Sequence, residues 1–220
     1  MTGPRWITEA EYATALTLYR GRPELWTAEG LAELLDLFGA LGAPRTLNAL
    51  ANTPGFPLDL VRPHVAYAHA ASYRPEYTLD RGSWIDLFRR IGFTFNGEPA
   101  TLPTEPRTLW RGTRPGYSDN LSWTPERAIA VTFAARPGAV LYRTEVPPGR
   151  VLAVLADDRY EPQWLASVAG LDKVKEELSA EDWALAGEWE AERSAVRERM
   201  DPSDRAQLAA AERMFRAWEK

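Results

Sequence analysis

The stretch that decides the fold is residues 107–168, RTLWRGTRPGYSDNLSWTPERAIAVTFAARPGAVLYRTEVPPGRVLAVLADDRYEPQWLASV. Residues 108–112, 139–146 and 150–155 are rich in β-branched and aromatic side chains, which predicts short strands. Residues 125–135 start with a proline and then place apolar side chains at helical spacing, which predicts a helix between the strands. This part of the chain is therefore expected to form a small sheet domain.

The chain before this stretch has a helical pattern. Helices are predicted over residues 8–20, from residue 27 to Gly39 or Gly42, and over 44–51, 57–72 and 81–92. The first helix opens with a capping box, in which Thr8 caps the helix and Glu11 reaches back to the cap. Asn96-Gly97 and the three prolines of residues 99–106 predict a turn followed by an extended crossing, which we take as the domain boundary.

The pattern becomes helical again after Val168. Residues 171–178 are expected to be helical, Ser179 with Asp182 predicts the cap of a long helix to about residue 199, and a last helix is predicted from Asp201-Pro202 through Trp218. The expected fold class is α+β. Its three parts are an N-terminal helical region at 1–95, a sheet domain at 96–170 and C-terminal helices at 171–220.

Composition narrows the function classes. The 220 residues carry a formal net charge of −5, which argues against general nucleic-acid binding but leaves room for a local basic patch. The chain has no cysteine, which excludes disulfides and cysteine-ligated zinc. His64 and His69, the two histidines, are five residues apart rather than four, so they predict packed or partly exposed side chains and no metal site. Without a signal peptide or membrane-spanning run, we expect a cytoplasmic protein.

Three short motifs carry the functional signal. They are Arg111-Gly112 at the end of a predicted strand, Ser122-Trp123-Thr124, and Glu161-Pro162-Gln163 before a later strand. Together they resemble the Arg, Ser-x-Thr, Glu-x-Glu pattern of mono-ADP-ribosyltransferases, in particular small bacterial and phage-associated members. The resemblance implies a split β-sheet that binds NAD in its cleft. It also implies a glycosyltransferase that moves ADP-ribose to a protein, nucleic-acid or small-molecule acceptor that the sequence does not specify.

The first two motifs suggest how NAD would be held. A guanidinium matches phosphate oxygens, so Arg111 suits the pyrophosphate. Gly112 lacks a Cβ, which would let a ligand approach the backbone closely. The resemblance implies that Ser122 hydrogen-bonds the NAD ribose or the catalytic carboxylate. Thr124, just before Pro125, is foremost a helix cap.

Two aromatic residues complete the expected NAD site. The resemblance puts an aromatic side chain of the nicotinamide pocket near Phe133, although a core position facing the sheet explains Phe133 equally well. Tyr117 lies in the loop between Gly112 and Ser122 and could stack on a ring of NAD, although loop tyrosines are often simply exposed.

The acidic motif departs from the family pattern. Glu161 falls on the first glutamate of Glu-x-Glu, and Gln163 falls on the second, which the family uses for catalysis. A glutamine keeps the shape but lacks the charge that stabilises a cationic ribose. Three alternatives remain open: Glu161 is catalytic after a slip in register, Asp157 or Asp158 lends the charge, or NAD is bound without turnover. Glu188-Trp189-Glu190 has the same spacing but lies in a helical pattern, where its two carboxylates diverge.

The leading hypothesis is therefore an NAD-dependent mono-ADP-ribosyltransferase-like protein. The alternative is a catalytically weakened module that binds NAD, ADP-ribose or a partner in the same cleft. A third possibility is a structural protein that uses its helices and some of its nine tryptophans for interaction.

Overall fold

A computed structural model describes residues 8–72, 74–156 and 162–201, and the fold of these residues is α+β. The helices are α1 (Glu9–Arg20), α2 (Ala28–Ala51), α3 (Leu58–Ala71), α4 (Pro75–Thr78), α5 (Arg81–Ile91), α6 (Arg127–Ala134) and α7 (Ala180–Arg199). The strands are β1 (Thr94–Phe95), β2 (Glu98–Pro99), β3 (Arg107–Thr113), β4 (Ser122–Trp123), β5 (Val140–Val146), β6 (Val151–Leu155), β7 (Gln163–Ala166) and β8 (Val174–Glu176). Within the described residues, no helix is long and apolar enough to cross a membrane.

The predicted capping residues Thr8 and Ser179 are confirmed by their hydrogen bonds. The Thr8 hydroxyl accepts a hydrogen bond from the Glu11 amide at 3.2 Å, and the Glu11 carboxylate accepts one from the Thr8 amide at 2.9 Å. At α7 the Ser179 hydroxyl accepts from the Asp182 amide while the Asp182 carboxylate accepts from the Ser179 amide. Each pair satisfies two amides that a helix start leaves without an intrahelical partner.

The strands form two sheets. The first has the order β2-β1-β6-β7-β4 and the second has the order β3-β5-β8. They join where the amides and carbonyls of Trp110 and Thr124 exchange hydrogen bonds of 2.8 and 3.0 Å. The β1–β2 hairpin turns at Asn96-Gly97, where both residues have a positive φ, as a type I′ hairpin turn requires.

The core is layered. The N-terminal helices pack on one face of the five-stranded sheet, so Val61, Trp84 and Leu155 share one buried cluster. A second cluster lies between the two sheets, and a third lies under α6 on the outer face of the three-stranded sheet. Strand β6 is buried along its whole length because helices cover one of its faces and the second sheet covers the other.

The C-terminal part corrects one prediction. Residues 171–178 were expected to be helical, but Val174–Glu176 is strand β8, which pairs antiparallel with β5. The edge of β5 supplies backbone partners that outweigh a weak local preference for helix. Helix α7 follows as predicted, and Glu188 and Glu190 lie on it, where side chains two residues apart diverge. The last predicted helix, through Trp218, lies outside the described residues.

Helix α7 is tied to α6 by an ion-pair cluster. Arg127 donates to both carboxylate oxygens of Asp182 at 2.6 and 2.9 Å, and its Nε donates to Glu176 at 3.2 Å. Arg143 lies 2.8 Å from the other oxygen of Glu176. Hydrogen bonds from Arg127 hold the pKa of Asp182 well below its usual value, and the same bonds raise the pKa of Arg127.

Candidate functional site

A cleft of about 1310 Å³ opens between the N-terminal helices and the sheets. Its walls come from the end of α3, from α4, from β3 and the loop after it, from α6, and from the start of β7. The volume exceeds the roughly 300–1,000 Å³ that is typical for small-ligand sites, so a ligand as large as a dinucleotide has room here.

The cleft brings together the predicted site residues that the structure describes. These are Arg111, Gly112, Tyr117, Ser122, Thr124, Phe133 and Gln163. Residues separated by up to 52 positions along the chain thus line one cavity. Glu161, also predicted for the site, lies outside the described residues, as do Asp157 and Asp158.

Arg111, Ser122 and Gln163 form one hydrogen-bonded line across the junction of the two sheets. Strand alternation puts Arg111 on the same face of β3 as Leu109, which is buried between the sheets. From there Nη1 of Arg111 donates to the carbonyl oxygen of Ser122. The Ser122 hydroxyl in turn donates to Oε1 of Gln163 at 2.9 Å. Strands β4 and β7 are neighbours, with Ser122 opposite Leu165. Gln163 is two residues before Leu165 on the same face of β7, so the Ser122 and Gln163 side chains are within reach of each other.

Arg111 has fewer partners than its burial calls for. Its Nε is buried and has no hydrogen-bond partner within the described part of the chain. Burial lowers the pKa of Arg111 to about 10, and the nearby Glu76 carboxylate opposes that shift. The side chain therefore stays charged at neutral pH and can donate further hydrogen bonds to an anion in the cleft.

Gly112 has a packing role that its sequence context does not predict. A Cβ on Gly112 would lie 2.1 Å from the Ala130 carbonyl oxygen and 2.3 Å from the Ala134 amide nitrogen. The glycine is needed because the backbone of α6 packs directly on β3 at this point. A Cβ at position 112 would point towards α6, while the Gly112 backbone still lines the cleft beside Arg111.

Thr124 organises the backbone around the cleft. Its hydroxyl accepts from the Glu126 amide at 3.1 Å, just before α6 begins at Arg127. Its own amide and carbonyl pair with Trp110 and so join the two sheets. These contacts give Thr124 a structural role.

The two predicted aromatic residues lie near arginines of the cleft. Tyr117 is 39% exposed, and the Arg74 guanidinium lies 5.8 Å from its ring centre. Phe133 is half-buried, and the Arg136 guanidinium lies 4.4 Å from its ring centre. Both rings therefore lie beside a cation of the cleft.

The cleft is rich in cations although the protein is acidic overall. Five arginines line it: Arg74, Arg81, Arg111, Arg114 and Arg136. Glu76 is the one carboxylate among the described residues of its lining. A cavity with this charge balance favours an anionic ligand.

Sequence reasoning missed the contribution of the helical region. Strands β3, β4 and β7, the loops next to them and helix α6 supply the predicted residues. The same cleft is also lined by His69, Arg74, Glu76 and Arg81. His69 was expected to be an ordinary packed or partly exposed side chain. It is 1% exposed, and within the described residues neither ring nitrogen has a hydrogen-bond partner. The spacing of residues in α3 does not reveal this, because the position of His69 depends on how the helices dock on the sheets.

The described residues contain no group of three or more His, Asp or Glu side chains that could hold a metal ion.

No protein-family model, no curated protein and no solved structure matches this chain.

Proposed function

We propose that this protein binds NAD in the cleft and transfers ADP-ribose to an acceptor, as mono-ADP-ribosyltransferase-like proteins do. The observation that carries the proposal is the line from Arg111 through Ser122 to Gln163. These residues were selected from three separate motifs by resemblance alone. Their meeting in one arginine-rich cavity supports a common ligand.

The chemistry assigns a role to each residue. Arg111 holds the pyrophosphate through charge-assisted hydrogen bonds. The bond between nicotinamide and C1′ of the ribose breaks, its electron pair leaves with nicotinamide, and the ribose becomes cationic. A nucleophile of the acceptor then bonds to C1′ and loses its proton. Ser122 orients the side chain at position 163 beside the reacting ribose.

The negative charge for the cationic ribose must come from a residue other than Gln163. In this proposal Glu161, two residues earlier in the sequence, supplies the carboxylate, and Asp157 and Asp158 are the alternatives. A single electrostatic contribution of this kind is worth roughly 10²–10³ in rate.

A second candidate function is a module that binds NAD or ADP-ribose without turnover. The contact between Ser122 and Gln163 favours it, because the serine that would orient a catalytic carboxylate is bonded to a neutral amide. The pyrophosphate grip of Arg111 is the same in both functions.

Nicotinamide release from NAD by the wild type, Gln163→Glu and Glu161→Gln separates the two functions. If Glu161 is catalytic, Glu161→Gln abolishes release, and Gln163→Glu brings little gain because two close carboxylates repel each other. If position 163 is decisive, Gln163→Glu raises release by about 100-fold or more.

A calorimetric titration of the same three proteins with NAD and ADP-ribose serves as the control. If all three proteins, Gln163→Glu included, bind NAD but release no nicotinamide, the transferase function is contradicted and the binding module is supported. A wild type that binds neither ligand contradicts both functions.

The proposal extends to partners and location. We propose that the reaction takes place in the cytoplasm with NAD as substrate and a protein, nucleic acid or small molecule as acceptor. The overall charge of −5 argues that a nucleic-acid acceptor would be recognised locally and not by a general affinity for its backbone.

A further inference from the structure

We propose that His69, on α3, is a ligand-contacting residue of the cleft and donates a hydrogen bond to an oxygen of the ADP-ribose moiety next to Arg111. This inference rests on the proposed function, since it names a further residue of the same site. It makes the N-terminal helical region part of the binding surface and not only a support for the sheets.

The first support is the state of the His69 side chain. The ring is 1% exposed, it lines the cleft, and neither nitrogen meets a hydrogen-bond partner in the described part of the chain. Its nearest aromatic neighbours are Trp84, with ring centres 5.0 Å apart and planes inclined at 75°, and Phe88 at 6.1 Å. These contacts fix the ring through its carbon surface and leave the hydrogen-bonding capacity of its nitrogens unused.

The second support is the clustering of such atoms. Among the described residues, six buried side-chain polar atoms lack a hydrogen-bond partner. Two belong to His69, one is Nε1 of Trp110 and one is Nε of Arg111, and all three residues line the cleft. Buried polar groups are normally satisfied, so a concentration of unsatisfied groups at one cavity marks a surface that a polar ligand completes.

The charge state of His69 defines which bond it can make. Burial and the nearby Arg111 lower its pKa to about 3, so the ring is neutral at physiological pH. A neutral imidazole offers one N–H donor and one acceptor. Arg111 is a donor only and suits the anionic oxygens, whereas His69 suits an oxygen beside them and adds no second cation.

A packing role for His69 predicts the opposite behaviour on substitution. If the ring only fills space, replacing it with another aromatic ring leaves ligand affinity unchanged. If it serves the ligand, the same replacement removes two unsatisfied nitrogens from the folded protein and removes one bond from the complex. The stability of the ligand-free protein then rises while its affinity for the ligand falls.

The test compares His69→Phe with His64→Phe, a half-buried histidine on the same helix that does not line the cleft. Affinity for ADP-ribose is measured by titration calorimetry, and thermal stability is measured without ligand. We expect His69→Phe to weaken binding about 10-fold with an unchanged or higher melting temperature, and His64→Phe to bind as the wild type does. Wild-type affinity in a folded His69→Phe protein overturns the inference.

Nuclear magnetic resonance of the wild type provides a readout that does not depend on folding of a variant. The chain has only two histidines, so the spectrum of the His64→Phe variant assigns the ring nitrogens. Addition of ADP-ribose should shift the His69 nitrogen resonances, and unshifted resonances in the bound protein overturn the inference. If the wild type does not bind ADP-ribose at all, the proposed function fails along with the role of His69. If binding depends on Arg111 but not on His69, only the role of His69 fails.

Discussion

Two arginines, Arg111 in the cleft and Arg127 between α6 and α7, show how differently one protein can hold the same cation. Arg127 is 40% exposed and yet binds two carboxylates, one of them through both oxygens. Arg111 is more deeply placed and donates to one backbone carbonyl, while its buried Nε pairs with no described residue. Their pKa values move in opposite directions, lowered for Arg111 and raised for Arg127.

The difference separates folding from binding. The partners of Arg127 are acids from β8 and α7, so its hydrogen bonds stabilise the attachment of the C-terminal elements. An incompletely paired cation such as Arg111 lowers the stability of the folded protein. A buried polar group without a hydrogen-bond partner costs about 1–3 kcal/mol, because no protein partner replaces the water that it bound in the unfolded chain. In the proposed function, the pyrophosphate of NAD supplies the missing partners of Arg111.

The largest expected effect comes from a substitution that disturbs the surroundings of both Arg111 and Arg127. Gly112→Ala places a Cβ 2.1 Å from the Ala130 carbonyl oxygen and so pushes α6, which carries Arg127, away from β3 beside Arg111. We expect the free energy of unfolding to fall by about 3 kcal/mol, at the upper end of overpacking costs, as measured by urea denaturation. Gly116→Ala is the control, because its Cβ would meet no described atom within 4 Å. Equal stability of the two variants contradicts the packing role of Gly112.

The next largest effects come from replacing each of the two arginines with methionine. Arg111→Met should weaken NAD binding about 100-fold, which corresponds to the loss of one or two charge-assisted hydrogen bonds, and should leave the melting temperature unchanged or raised. Arg127→Met should lower the melting temperature and leave NAD binding unchanged. Calorimetry and thermal unfolding of both variants test the comparison. A loss of affinity in Arg127→Met comparable to that in Arg111→Met would remove the distinction.

A milder change weakens the cluster around Arg127 without removing the arginine. Asp182→Asn keeps the side-chain shape but replaces the charged carboxylate, which accepts two hydrogen bonds from Arg127, with a neutral amide. We expect a loss of about 2 kcal/mol, or about 4–8 °C in melting temperature for a chain of this size. Glu181→Gln, an exposed acid one residue earlier on α7, is the control and should change the melting temperature much less. Equal losses in the two variants would show that the ion pair contributes little.

The smallest effect depends on pH. Because the folded state lowers the pKa of Asp182, its contribution is fully present above the unfolded pKa of about 3.9 and is lost as pH falls through the lower folded value. The difference in unfolding free energy between wild type and Asp182→Asn should therefore stay constant above about pH 5 and shrink below about pH 4. Urea denaturation between pH 3 and pH 7 measures it. A difference that grows on acidification contradicts the assignment.

The sequence predicts elements whose stability is local. The capping residues Thr8 and Ser179 identify helix starts because their partners lie three residues away. The strand Val174–Glu176 escaped prediction because its partner is the distant strand β5, and its own residues alternate too weakly to indicate an edge strand.

The same limit applies to the cleft. Arg111, Ser122 and Gln163 were predicted because their motifs resemble those of mono-ADP-ribosyltransferases. His69 was not identified, because helix spacing does not reveal which residues of α3 face a cavity formed with other elements. The close packing of α6 on Gly112 was not predicted either, because it depends on how the helix docks on β3.

The joining of the sheets through Trp110 and Thr124 provides a way to detect a ligand that contacts both sheets. Arg111 belongs to the three-stranded sheet and Gln163 to the five-stranded sheet, so a ligand that touches both spans the seam at which the sheets meet. The amide protons of Trp110 and Thr124 lie on that seam, and their exchange with deuterated solvent reports separation of the sheets. If NAD bridges the two sheets as proposed, it should slow the exchange of both protons together, which makes these two amides a measure of binding that requires no turnover.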